Sequence, residues 1–274
     1  MIEALSYKFM QNAILAALIG GAGCGVIGVW VVLLRIPFIG VAMSHAAFAG
    51  AITGLLIGIN PLLLGLVACI VAAALVGPAA DKADFDPNLS MGIIFSILVG
   101  IAFLGMGLLK GPKTEALNLL WGNILTLSRR DLGLLAIASG LVVVFSGVFY
   151  QELRAIVFSR IIARATGIPE KTLFYTLLFI CGVTVTLNLN TIGGLLIFSL
   201  IVNPPSAAYQ LTYSLSRMLI LSAGFAITAC LVGLLLSYFL NVPTGAVIVL
   251  VSGLILVATT LLSPKRRRAR APSI

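Results

Sequence analysis

The chain has 274 residues, 61% of them hydrophobic and only 9% charged, whereas a soluble domain carries about 25% charged residues. That composition excludes the soluble globular class and marks an integral membrane protein. The formal charge of +9 does not imply a nucleic-acid partner, because five basic residues sit together in KRRRAR, Lys265 to Arg270, directly after an apolar segment; this basic tail, 264–274, is a topology signal that puts the C-terminus in the cytoplasm.

Apolar segments fall at about residues 12–34, 38–59, 61–80, 91–109, 132–150, 172–189, 191–209, 217–240 and 243–263, and a run of about 18 or more can cross about 30 Å of hydrocarbon as a helix. The fold expected is all-α, a single polytopic transmembrane bundle over residues 1–274 in the cell membrane, with about eight to nine spans. A barrel would show short alternating strands instead. The first residues, MIEALSYKFM, place Glu3 ahead of the lysine and hold no small-residue cleavage site, unlike a cleaved signal peptide. Threading nine segments back from a cytoplasmic C-terminus puts Arg35, the loop DKADFDPNLS, the stretch 151–171 and Arg217 inside. Lys8, Lys110, Lys113, Arg129 and Arg130 remain outside, five of the 17 Lys/Arg residues. The asymmetry favours this orientation and an outside N-terminus; if two short segments form one re-entrant hairpin, the count drops to about eight and that end flips.

In chain order, the first run with unusual chemistry is FIGVAMSHAAFAG, Phe38 to Gly50, which holds the single histidine, His45. Cys24, Cys69, Cys181 and Cys230 stand singly in apolar runs and read as small packing residues. GPKTEALNLLWGNILTL, Gly111 to Leu127, has helical periodicity and reads as an outside interfacial or partly re-entrant helix with Trp121 near the headgroups. The stretch Gln151 to Lys171 interleaves Glu152, Arg154, Arg160 and Arg164 with Ile156, Val157, Phe158, Ile161 and Ile162, and closes on Gly167 and Pro169. It is expected as a short amphipathic helix on the cytoplasmic face, either an interfacial anchor or a docking helix for a cytoplasmic partner.

Several chemistries are missing. The nearest approach to a phosphate-binding loop is GLLKGPKT, Gly107 to Thr114, where Pro112 stands in place of the second glycine. None of the eight acids falls in the middle of a predicted span, which weighs against a proton- or sodium-coupled carrier, since such carriers keep a buried carboxylate. An intramembrane protease is disfavoured because His45 has no G-x-S-x-G or paired aspartates to work with. The polar residues left inside spans are mainly Ser44, His45, Asn188, Asn190, Ser199, Asn203 and Ser206. They suit either a water-lined path or close helix contacts.

Four stretches resemble, in order and spacing, the membrane permeases of ATP-binding-cassette importers for manganese, zinc and iron. FIGVAMSHAAFAG is similar to that family's G-D-A-L-S-H-A-x-x-x-G, aligning Gly40, Ala42, Ser44, His45, Ala46 and Gly50. LWGNILTLSRRDL, Leu120 to Leu132, resembles F-G-N/S-I/L-L-T. FSRIIARATGIP, Phe158 to Pro169, resembles F-D-P-E-x-A-x-A-x-G-x-P, the segment that engages the ATPase subunit. GGLLIFSLIVNPPSAAYQLT, Gly193 to Thr212, and YFLNVPTGAVIVL, Tyr238 to Leu250, resemble the G-x-L-L-V-x-A-L-L-V-x-P-A-A-T-A and Y-x-x-D-x-P-T-G-A segments.

The resemblance implies the importer permease fold, a second permease copy, two cytoplasmic ATP-binding subunits and an extracytoplasmic solute-binding protein. It implies no catalysis and no cofactor held by this chain, with a divalent metal ion as transported substrate. It places a coupling helix on Phe158, Arg160, Ala163, Arg164, Gly167 and Pro169, transmitting ATPase closure to the bundle. It also makes His45 the candidate transit ligand.

Two departures stand out. The family's aspartate four residues before the histidine, on the same helix face, is Val41 here. Further donors would have to come from Ser44, Met43, Asn203 or a second copy. The aspartate and proline of the cytoplasmic motif are Ser159 and Arg160. The competing readings are a permease for a metal chelate or siderophore, which the missing aspartate would permit, and a secondary carrier or channel.

Overall fold

A computed structural model describes residues 7–83, 87–110, 114–121, 127–193 and 197–265, and the regular structure among them is wholly helical. In chain order the helices are α1 (Lys8–Leu33), α2 (Phe38–Ile57), α3 (Pro61–Ala83), α4 (Pro87–Leu108), α5 (Thr114–Trp121), α6 (Arg129–Val148), α7 (Tyr150–Phe158), α8 (Arg160–Ala165), α9 (Glu170–Ile192), α10 (Ile197–Leu211), α11 (Leu215–Leu240) and α12 (Thr244–Leu261). Arg266 to Arg270 of the basic tail, Lys113, and the side chains of Trp121 and Asn190 lie outside the described residues.

Local chemistry sets the helix ends. α2 stops at Gly58 in the left-handed region. After it, Asn60 Oδ1 accepts from Leu62 N at 2.9 Å and Pro61 occupies the first helical position of α3. Ser128 and Asp131 form a reciprocal capping box at the start of α6. Eight of the nine expected apolar segments each correspond to one helix. Seven of them, α1, α2, α4, α6, α9, α11 and α12, are long and apolar enough to span, and a shorter apolar stretch covers Pro61–Val76 of α3.

The segment expected at 191–209 differs. α9 runs to Ile192 and ends at Gly193, and α10 starts only at Ile197. Its 15 residues reach about 22 Å, short of the hydrocarbon thickness. α10 also contains Pro204 and Pro205.

Contacts at the two ends give the threading. Asn12 Nδ2 donates to Leu127 O at 3.2 Å, joining the start of α1 to the start of α6. At the opposite end, Arg35, Ser159, Arg160 and Tyr209 line one cleft of about 670 Å³, so α1, α7 and α10 finish together. Ser263 Oγ donates to Gln210 O at 3.0 Å, and Lys265 Nζ donates to Tyr209 O while lying 3.7 Å from the Tyr209 ring centroid and 4.6 Å from that of Tyr213. The end of α12 is thereby pinned beside the end of α10. This matches the sequence-based placement of Arg35, the 151–171 stretch and Lys265 on one side.

α1 is the axis of the bundle, packed against α6, α10 and α11, while α2 packs against α3, α4 and α9. Trp30 is fully buried, and its Nε1 donates to Ser146 Oγ at 2.8 Å, tying α1 to α6. The four cysteines are free and buried, as packing residues should be. Close helix approach depends on missing side chains, most clearly at Gly28. A Cβ there would sit 2.2 Å from Ile201 O and 2.9 Å from Pro205 Cγ. Gly28→Ala should therefore lower the thermal midpoint in detergent, by an overpacking cost of about 1–3 kcal/mol. Gly140→Ala, where a methyl group meets nothing within 4 Å, should leave it equal or higher.

Candidate transit and coupling site

His45 stands on α2 four residues after Val41. Phe38, Val41 and His45 recur at helical spacing, and all three are half-buried where the rest of the early helix is closed. At the Arg35 end of this stripe an apolar opening of about 560 Å³ is lined by Phe38, Arg35, Asn88 and, from α10, Phe198, Val202 and Ser206. His45 lies seven residues further along α2, about 10 Å deeper. Phe95 of α4 flanks the stripe and meets both rings edge-on, Phe38 at 5.5 Å and His45 at 4.7 Å.

The Nδ1 of His45 lies 3.0 Å from Val41 O. A carbonyl only accepts, so Nδ1 carries the proton and Nε2 of the neutral ring keeps its lone pair. No hydrogen bond to Nε2 occurs among the described residues. The backbone carbonyl thus holds the ring and leaves one nitrogen donor ready, the arrangement by which an outer partner orients a metal-ligating histidine.

The other proposed donors have partners elsewhere. Ser44 is buried and its hydroxyl donates to Gly40 O at 2.7 Å. Met43 is buried with its sulphur toward α9, 3.4 Å from where a Cβ on Gly182 would lie. Two positions apart on a helix, Met43 and His45 face opposite ways. Asn203 donates to Ser252 Oγ of α12 at 3.0 Å. The structure does not gather these donors around His45, and no group of three or more His, Cys, Asp or Glu occurs among the described residues. Asn188 likewise turns back on its own helix, donating to Thr184 O at 2.8 Å.

The expected single amphipathic helix over 151–171 is two helices with a break. Ser159 is extended, and its hydroxyl caps α8 by accepting from Ile162 N at 3.4 Å. An aspartate would cap in the same way, so the Ser159 departure preserves the turn, and Arg160 takes the first helical position. α8 ends with Ile168 N donating to Ala163 O and Gly167 N to Arg164 O, while Gly167 has φ +82°. That closing turn needs the left-handed conformation that glycine supplies. Pro169 follows as the residue before α9. Ala163 is buried, whereas Phe158 and Ile161 are each 83% exposed and Ile162 53%. Sequence reasoning missed Glu170, buried and paired with Arg164, and Phe174, which Arg160 covers at 4.2 Å; nothing in a linear reading separates them from ordinary residues at the start of α9.

Residues 6–263 match the family model described as the ABC 3 transport family. The chain belongs to the ABC 3 transport family. It is 29% identical over 264 residues to the manganese transport system membrane protein MntC of Halalkalibacterium halodurans, covering 96% of this chain and 90% of that one. It is 30% identical over 271 residues to a protein of Haemophilus influenzae named a probable iron transport system membrane protein, covering 98% of each. Its fold superimposes on PsaBC from Streptococcus pneumoniae, solved in complex with Fab, with a TM-score of 0.87 at 25% identity over 97% of this chain and 96% of that chain. As a member of the ABC 3 transport family the chain is a multi-pass membrane permease subunit, not an enzyme.

Position 41, one turn before His45 on the same half-buried stripe, offers a direct test of this candidate site. Val41→Asp would put a carboxylate one helical turn from His45 Nε2 on the same stripe. Purified Val41→Asp protein should bind manganese at least about tenfold more tightly in equilibrium dialysis than the native chain, since a second, charged donor joins a single neutral one; equal affinity would mean that the two positions do not share a site.

Proposed function

We propose that this permease moves divalent metal ions, zinc, manganese or iron, into the cell by alternating access. Two copies enclose the path, two cytoplasmic ATP-binding subunits power it, and an extracytoplasmic solute-binding protein delivers the ion. The observation that carries the cargo reading is the oriented His45 with its unengaged Nε2 on the half-open stripe of α2. One neutral donor per chain suits a transit ligand, because conduction requires that the ion also leave. The names of the manganese and iron relatives agree with such a cargo.

The ATPase reading rests on the α7–α8 junction. Phe158, Ile161 and Ile162 form an exposed apolar patch at the end of the bundle shared with Arg35, and an exposed apolar patch on a short rigid element marks a protein contact. The apolar Val41 favours a second cargo, a metal chelate whose own ligands complete the coordination that the chain does not supply.

The deciding experiment is uptake by proteoliposomes of the complete assembly, with manganese, zinc and iron in competition. His45→Ala should lower uptake of the preferred ion about tenfold or more; uptake at the native rate returns His45 to a packing role. Phe158→Asp, at the end of α7 next to α8, should prevent co-purification of the ATP-binding subunit, and full retention of that subunit would remove the α7–α8 junction from the contact.

A further inference from the structure

We infer that Arg160, Arg164, Glu170 and Phe174 form a two-rung clasp that fixes α8 to α9, making the two arginines positioning residues for coupling rather than contacts to the ATPase. The inference rests on the docking role of α8.

A helix of six residues does not hold its place by its own hydrogen bonds. Of its residues only Ala163 is buried, so apolar burial alone does not fasten it. The fastening comes from two side-chain pairs in register. Arg160 and Arg164 are one turn apart on α8, and Glu170 and Phe174 are one turn apart on α9. α8 and α9 are joined by the Gly167 turn, and the pairs cross antiparallel. Arg164 at the near rung donates through Nε to Glu170 Oε1 at 3.0 Å, with Nη2 on the same oxygen. Arg160 at the far rung lays its guanidinium 4.2 Å from the Phe174 ring centroid.

The two rungs differ in chemistry and act together. The Glu170 side chain is 5% exposed and that of Arg164 66%. A carboxylate this buried requires its counter-charge, because removing one partner of a buried pair leaves an uncompensated charge. The cation over the aromatic face adds a second attachment. Together they set the height and rotation of α8, which turns Ile161 and Ile162 away from the bundle. Beyond the clasp, α9 runs to Gly182 and Thr186. Thr186 Oγ1 donates to Cys69 Sγ at 3.2 Å, and Cys69 Sγ donates to Met43 O at 3.3 Å. Met43 is two residues from His45. A displacement of α8 is therefore passed through α9 and α3 to the helix that carries the transit histidine.

The test uses the complete assembly in proteoliposomes, with manganese uptake and ATP hydrolysis measured on the same samples. Arg164→Met and Arg160→Met keep the aliphatic stem and remove the charge, whereas Arg164→Lys and Arg160→Lys keep the charge. The Met variants should lower ions moved per ATP hydrolysed about tenfold, with the ATP-binding subunit still co-purifying, and the Lys variants should stay within about threefold of native. In a Glu170→Gln background, Arg164→Met should cause little further loss, since the partner charge is already gone.

Native ions-per-ATP ratios in the Met variants would overturn the clasp, and so would additive losses in the Glu170→Gln background. Loss of the ATP-binding subunit in the Met variants would make the arginines docking contacts and overturn it as well. Phe158→Asp reports on docking separately: retention of the subunit there defeats the docking reading, whatever the arginine variants do.

Discussion

Hydrocarbon offers no hydrogen bonds, so every polar group that enters it must find a partner within the protein. This constraint is visible at each level of the bundle. It makes the described regular structure helical throughout and turns small polar side chains back on their own helices. Ser44 bonds to Gly40 O, Thr53 to Ala49 O and Thr184 to Ile180 O. The same rule orients His45: Nδ1 is spent on Val41 O, and a single ring nitrogen remains unengaged. Chemistry inside the membrane is thus what the hydrogen-bond requirement leaves over.

The second consequence concerns packing. Lipid tails are as apolar as leucine, so helices associate through close approach and interhelical hydrogen bonds rather than through exclusion of water. α1 can be the axis because its glycines admit neighbouring backbones. Pro205 removes the N–H that would have paired with Ile201 O inside α10, and that carbonyl faces α1 at Gly28. Ser222 Oγ donates to Gly25 O at 2.6 Å and Ser139 Oγ to Ile19 O at 2.8 Å, adding bonds from α11 and α6 to the same axis. α10 is held to α12 through Asn203 and through the Ser263 and Lys265 contacts at its end, and has few contacts with α9. The bundle is therefore dense along α1, while α9 and α10 pack mainly on different neighbours, α9 on α2 and α3 and α10 on α1, α11 and α12.

The half-buried stripe of α2 and the exposed apolar patch around α8 sit on different helices, and α9 packs against both α2 and α8. α8 exposes Ile161 and Ile162 while its arginines are engaged with α9. Arg164 is better understood through this geometry than through its charge alone: reversing it would set a second carboxylate against the buried Glu170 and disturb the fold before it tested a partner contact. The exposed Phe158 and Ile161 are the residues whose side chains are not otherwise committed.

Much of the protein was legible in its sequence. Apolar length alone located eight of the helical segments, because a span must match the hydrocarbon thickness, and the charge asymmetry matched the end at which Arg35, α8 and Lys265 assemble. The periodicity of 151–171 marked its amphipathic character, and the motif order pointed to the family that the chain belongs to. The sequence could not say which way each residue faces, because helical spacing sets relative angles while the absolute rotation is decided by the neighbours. Met43, Ser44 and His45 are consecutive, yet packing turns the first toward α9, folds the second onto Gly40 O and leaves only the third with an unengaged donor. Asn203 is drawn to Ser252 for the same reason. Nor could spacing show that Ser159 breaks one helix into two, or that Glu170 is buried under Arg164, since both depend on how the chain turns at Gly167. The sequence by itself determined that the chain crosses the membrane and what chemistry it lacks; only the tertiary structure, by rotating each helix against its neighbours, decided which of the few polar groups remain available.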